Sequence, residues 1–160
     1  MNAIVVYYSL EGNTDHAAKM IAEELNADLL RLETVEPYAT TGFKKFLRGG
    51  KEAMQGATPA LKPYTFDPEA YDTVILGTPL WAWHFAPPVR TFQKEQNVKG
   101  KKLGFFVTSM GGQDKKCLAA VKSELSAENA PELSLIEPLR QQKPENRDKI
   151  RAFAEQIRNL

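Results

Sequence analysis

Apolar residues along the chain fall into short continuous runs separated by stretches with helical spacing. The first run, Ala3-Ile-Val-Val-Tyr-Tyr8, does not alternate with polar residues. Continuity of this kind predicts a strand covered on both faces. Further strands are predicted over 28–33, 73–77, 103–108 and 133–136. Between them, Ala18, Ile21, Ala22 and Leu25 recur at i, i+3, i+4 and i+7, the signature of a one-sided helix. Leu118, Val121 and Leu125 form a second such stripe, and Ile150, Phe153, Ala154 and Ile157 a third, in a helix starting near Glu145. Strands alternating with amphipathic helices predict a doubly wound α/β fold with five parallel strands and helices on both faces. One domain over residues 1–160 is expected, with no repeat or linker to divide it.

Residues 34–72 are too long for a simple crossover. Phe43, Phe46, Leu47, Gly50, Ala53 and Met54 keep helical spacing, while Lys44, Lys45, Arg48 and Lys51 project elsewhere. An amphipathic helix packed over the sheet is expected here, weakened by Gly49-Gly50 at roughly 1 kcal/mol per glycine. Docking of this basic helix on a membrane surface or a partner is the alternative. Residues 57–72, with Pro59, Pro63 and Pro68, read as a loop.

Composition narrows the class. The 160 residues are 42% hydrophobic and 26% charged, as in ordinary globular proteins. No apolar run reaches the roughly 20 residues of a membrane span, and Met1–Tyr8 lacks the basic start of a secretory leader. One cysteine, Cys117, excludes an internal disulfide, and two histidines leave little for a metal site. A cytoplasmic protein without metal is expected. Residues 1–80 carry 7 basic against 11 acidic side chains, and residues 81–160 carry 14 against 9. No dense cationic cluster interleaved with aromatics points to nucleic acid.

Open parallel sheets bind ligands at the carboxyl ends of their strands. Three strand ends are unusual here. Ser9-Leu-Glu-Gly-Asn-Thr14 follows strand one and opens a helix, where backbone N–H groups and the helix dipole favour an anion. Ser9, Asn13 and Thr14 can donate to phosphate oxygens, and Gly12 permits close approach. An ordinary cap by Asn13 or Thr14 explains the loop equally well. Thr78-Pro-Leu-Trp-Ala-Trp-His-Phe-Ala-Pro-Pro88 sets Trp81 and Trp83 two residues apart beside His84, and a flat ring system would give them an apolar partner. Thr108-Ser-Met-Gly-Gly-Gln-Asp114, after strand four, has the paired glycines Gly111 and Gly112. The three loops converge on one crevice.

Other α/β chemistries lack their marks. The spaced glycines of a dinucleotide fingerprint are missing after strand one, and Gly50-Lys51-Glu52 lacks the hydroxyl of a triphosphate loop. Tyr7-Tyr8-Ser9 stands where a receiver domain has acidic residues. No glycine-flanked serine turn marks a hydrolase.

Together, Tyr8-Ser-Leu-Glu-Gly-Asn-Thr14, the Thr78–Trp83 loop and the Thr108–Gly112 loop resemble the three FMN-contacting loops of a short-chain flavodoxin. The resemblance covers the chain apart from 34–72. It implies a five-stranded sheet in the order 2-1-3-4-5, FMN at its edge, and electron carriage between redox partner proteins by a monomer or weak dimer. By this resemblance Ser9, Gly12, Asn13 and Thr14 hold the phosphate; Glu11, whose carboxylate would repel it, is expected to face solvent and contribute only its backbone N–H. Thr78, Pro79, Leu80, Trp81, Ala82, Trp83 and His84 flank the ring on one side, with Trp81 or Trp83 stacked on it. Thr108, Ser109, Met110, Gly111 and Gly112 close the other edge.

Three departures from the family pattern matter. Glu11 stands where threonine is common. Trp81-Ala82-Trp83-His84-Phe85 has no glycine, and alanine and tryptophan reach positive φ less readily. That predicts weak stabilisation of a one-electron-reduced flavin by this loop, with a protonated His84 as an alternative countercharge to reduced flavin. Finally, the balanced charge favours an FMN-dependent NAD(P)H:quinone oxidoreductase more than a strongly acidic chain would. Carrier and reductase both stand at this point.

Overall fold

The computed structural model describes residues 1–40, 44–111 and 114–160, with the side chains of 44–46 excepted. Phe43, Gly112 and the side chain of Phe46, all singled out above, therefore lie outside what is described. Five parallel strands, β1 (Ala3–Tyr8), β2 (Asp28–Leu32), β3 (Thr73–Trp81), β5 (Lys102–Ser109) and β6 (Glu132–Ile136), lie in the order β2-β1-β3-β5-β6. This is the expected order. An additional short strand, β4 (His84–Phe85), pairs antiparallel with the end of β3.

β1 is buried along its whole length, so its side chains feed two cores on opposite faces. Ile4, Val6, Val74 and Leu76 face one layer with Val89 and Phe92 of α3 (Pro87–Glu95) and Leu118 and Val121 of α4 (Asp114–Glu124). Val5, Tyr7 and Ile75 face the other, with Ala18 and Ile21 of α1 (Asn13–Leu25) and Phe153 and Ile157 of α5 (Pro144–Arg158). The centre of the sheet is tight. A Cβ at Gly77 would stand 2.1 Å from Cζ of Phe106, and one at Gly104 would stand 2.4 Å from Cδ1 of Ile157. The two glycines leave the volumes that these larger side chains fill.

Helix α3 falls where the sequence reads as loop up to Pro88. Pro87 and Pro88 occupy the first helical positions, where a missing N–H costs nothing, and Val89 and Phe92 supply the buried stripe. The expected 43–54 helix is present as α2 (Lys44–Met54), packed on the outer end of β3, on β4 and on α3. Its buried face differs from expectation. Gly49 and Ala53 are buried, whereas Leu47 and Met54 are more than half exposed.

Candidate functional site

The site grows from the carboxyl ends of β1, β3 and β5. Helix α1 starts with Gly12 as its N-cap at φ 94°, and no side chain caps the helix. Asn13 and Thr14 are committed elsewhere. Oδ1 of Asn13 accepts from the backbone N–H of Leu139 at 3.1 Å, and the Thr14 and Thr108 hydroxyls meet at 2.8 Å. Ser9 Oγ accepts from the Gly12 N–H at 3.2 Å. The ordinary-cap explanation of this loop therefore fails. The first turn of α1 presents N–H groups without a side-chain acceptor, the arrangement that attracts an anion.

The second wall is a β-hairpin. Leu80 pairs with Phe85 and Trp81 with His84, leaving Ala82 and Trp83 as a two-residue turn. Both turn residues have positive φ, 47° and 66°, as a type I′ turn requires. Alanine and tryptophan reach this region less readily than glycine, and here the strand pairing on either side of the turn places both of them in it. Thr78 braces the hairpin. Its hydroxyl accepts from the Ala86 N–H at 2.8 Å and donates to the Pro79 carbonyl at 2.9 Å.

Trp81 is held from behind. Its ring meets Tyr38 edge-on at 4.9 Å and Tyr8 edge-on at 5.6 Å. A Cβ at Gly49 of α2 would lie 3.0 Å from Cε3 and Cζ3 of the indole. Glycine here lets the α2 backbone come down onto the ring. Tyr38 in turn lies under the Arg48 guanidinium and donates to Glu52. Burial first, and then the Glu52 carboxylate, push the Tyr38 phenol well above its ordinary pKa. Burial likewise pushes Tyr8 up, to about 12. Both rings thus serve as neutral walls.

The enclosed crevice has a volume of about 300 Å³, within the size range of small-ligand sites. The structure brings Ser9, Glu11, Asn13, Thr14, Pro79, Leu80, Trp81, Ala82, Thr108, Ser109 and Met110 around it, together with Leu10 and Gly50, which sequence reasoning missed. Other candidate positions stand apart from its lining. Gly12 shapes the helix start, Thr78 supports the hairpin, and Trp83 sits at the hairpin tip, 55% exposed. His84 is held in the hairpin pairing, and Gly111 is an exposed turn residue at φ 122°.

A cation also lies next to the anion loop, although the loop itself contains none. Arg31 on β2 donates from Nη2 to the Ser9 carbonyl at 3.2 Å and lies 3.7 Å from Asp15 of α1. Asp15 also receives the Tyr7 hydroxyl at 2.7 Å and the Lys19 ammonium at 2.7 Å. Burial works to raise the Asp15 carboxyl, but these partners outweigh it and hold its pKa below the usual value.

The sequence profile named Flavodoxin matches residues 2–156. The chain belongs to the flavodoxin family. Among solved structures, this flavodoxin is similar to a protein assigned as a flavoprotein in Bacteroides eggerthii, with 22% identity, 98% of both chains covered and a TM-score of 0.79. A Lactobacillus acidophilus flavoprotein solved in complex with FMN shares 20% identity, covers 88% of this chain and 96% of its own, and has a TM-score of 0.72. Oxidised flavodoxin 2 from Bacillus cereus shares 18% identity over 99% of both chains, with a TM-score of 0.63. Comparison with curated protein sequences finds no match. At these identities the likeness establishes the shared fold. No helix among the described residues is long and apolar enough to cross a membrane.

Proposed function

We propose that this flavodoxin binds FMN in the crevice and passes electrons between redox partner proteins in the cytoplasm. The single observation carrying the reading is the match between the crevice and the two ends of that cofactor. An uncapped helix start with the Ser9 and Thr14 hydroxyls stands at one end, and an apolar wall of Pro79, Leu80 and Trp81 at the other. The N–H groups of α1 and neighbouring hydroxyls bind the phosphate. Trp81, fixed by Tyr8, Tyr38 and Gly49, holds the ring and keeps water from one face. Bound flavin supplies the redox chemistry, taking up and releasing one or two electrons. Among the described lining residues Glu11 is the one carboxylate, and no histidine, lysine or cysteine joins it. A site so poor in acid–base groups favours electron carriage over proton-transfer chemistry on a bound substrate.

A second reading, a quinone or small-acceptor reductase, is supported by the apolar rim. Met110 on the rim is 73% exposed and Trp83 at the hairpin tip 55% exposed. An apolar rim of this kind suits a flat organic acceptor as well as a protein partner.

The test begins with FMN uptake, followed by quenching of flavin fluorescence on adding protein. Failure to bind FMN overturns both readings. An anaerobic reductive titration with two resolved one-electron stages supports the carrier. Turnover of NAD(P)H with a quinone by the isolated protein supports the reductase.

A further inference from the structure

Residues 137–142, between β6 and α5, lie outside the crevice lining, yet they join two of its walls. The Glu137 N–H donates to the Ser109 carbonyl at 2.9 Å, which ties the segment to the end of β5. The Leu139 N–H donates to Oδ1 of Asn13 at 3.1 Å, which ties it to the start of α1. Between these bonds the chain makes a tight turn. The Glu137 carbonyl accepts from the N–H groups of Arg140 at 3.0 Å and Gln141 at 2.8 Å, and the Leu139 side chain rests against Gly12. A backbone N–H can only donate, so the atom it meets on the Asn13 carboxamide is the oxygen. Nδ2 is thereby turned away from Leu139, and no acceptor engages it among the described residues. Asn13 itself lines the crevice, so its two amide hydrogens are left for a ligand there.

We infer that the turn at residues 137–142 positions the phosphate end of the site: through the Leu139 N–H it holds Asn13 with its amide NH2 as a donor to the phosphate of FMN. The inference rests on the FMN reading above. An unheld carboxamide is a broad, roughly two-fold rotor about its last side-chain bond. Flipped, it would set its oxygen against the phosphate, acceptor against acceptor. The bond from Leu139 removes that orientation before the ligand arrives, so ordering Asn13 is no longer a cost of binding. Leu139 is a positioning residue and Asn13 the donor. The ring end of the site, walled by Pro79, Leu80 and Trp81, is untouched by this contact.

The experiment measures dissociation constants of FMN and riboflavin by fluorescence quenching for the wild type, Leu139→Gly, Asn13→Ala and the double variant. Leu139→Gly keeps the backbone N–H but removes the side chain that seats the turn on Gly12. It weakens FMN roughly two- to tenfold, as expected when one side chain loses its preorganisation, and leaves riboflavin unchanged. Asn13→Ala weakens FMN roughly tenfold or more, the loss of a hydrogen bond to a charged group. Once Asn13 is replaced, Leu139→Gly weakens FMN no further. Equal loss in both backgrounds overturns the proposal, because the turn then acts without Asn13. So does equal weakening of both flavins by Leu139→Gly, or unchanged FMN binding in that variant. A second measurement needs no variant to fold: in the wild type, the nuclear magnetic resonance signals of the Asn13 side-chain amide shift with FMN and stay in place with riboflavin. The same shift with both flavins overturns the proposal. Wild-type protein that binds neither flavin overturns the functional reading itself, a result distinct from all of these.

Discussion

Gly49 and Gly50 are adjacent, both lie in the interior of α2, and the same substitution at each is expected to change stability in opposite directions. Replacing a helical glycine with alanine stabilises by about 1 kcal/mol, because the unfolded chain loses freedom and the helix gains a better former. At Gly50 nothing opposes this gain, since the new Cβ would lie 3.5 Å from Cβ of Ala82, an ordinary contact. At Gly49 the Cβ would press at 3.0 Å on two carbons of the Trp81 ring. That ring cannot slide away, because Tyr8 and Tyr38 abut it. Overpacking of a confined ring costs about 1–3 kcal/mol, which exceeds the helical gain. Gly50→Ala should therefore raise the melting temperature by about 2–4 °C, and Gly49→Ala should lower it by a similar amount, given the chain length. Thermal unfolding of flavin-free protein, followed by far-UV circular dichroism, reads both. Equal stabilisation by the two alanines would refute the claim that α2 rests on the indole.

Other consequences are equally direct. Gly77→Ala drives a methyl into the Phe106 ring and should destabilise by about 2 kcal/mol or more in denaturant titrations. Trp83→Gly relieves one of the two hairpin-turn residues, Ala82 and Trp83, held at positive φ, and should stabilise the flavin-free protein by about 1 kcal/mol in the same assay. Because Asp15 titrates below its ordinary value when folded, its contribution to stability is fully present above the unfolded pKa and lost as pH falls through the folded one. Asp15→Asn should flatten the acid limb of a stability–pH profile below about pH 4. Cys117 is buried, and that burial pushes its thiol up to about 12. Alkylation at pH 8 should therefore proceed only after unfolding.

The strands and three of the helices were legible because both signals are long. A continuous apolar run such as 3–8 reads as a buried strand, and stripes such as Ile150 to Ile157 read as helix. Helix α3 was hidden because Pro87-Pro88 reads as loop, although proline is well suited to a helix start. Strand β4 has two residues, too few for any periodicity, and its turn contains neither glycine nor asparagine to announce positive φ. The loops converging on the crevice were readable from chemistry at strand ends. Gly50 and Arg31 were not, because their places depend on how α2 and β2 lie against the sheet rather than on local sequence. In α2, helical spacing found the element but misjudged its face. Glycine, which carries no hydrophobic signal, turned out to make the contact with Trp81.

The bond between Asn13 and Leu139 joins positions 126 apart in sequence, and it gives the anion loop a remote reporter. The Leu139 amide is sheltered from solvent exchange for as long as the Asn13 carbonyl oxygen stays on it. Leu139 also packs against Gly12, where an added Cβ would lie 3.1 Å from its Cδ2. Reorientation of Asn13 toward a bound phosphate would release that amide, while a ligand that leaves Asn13 in place would deepen its protection. Deuterium uptake at a single backbone position near the carboxyl-terminal helix can thus track occupancy of a loop at the other end of the chain.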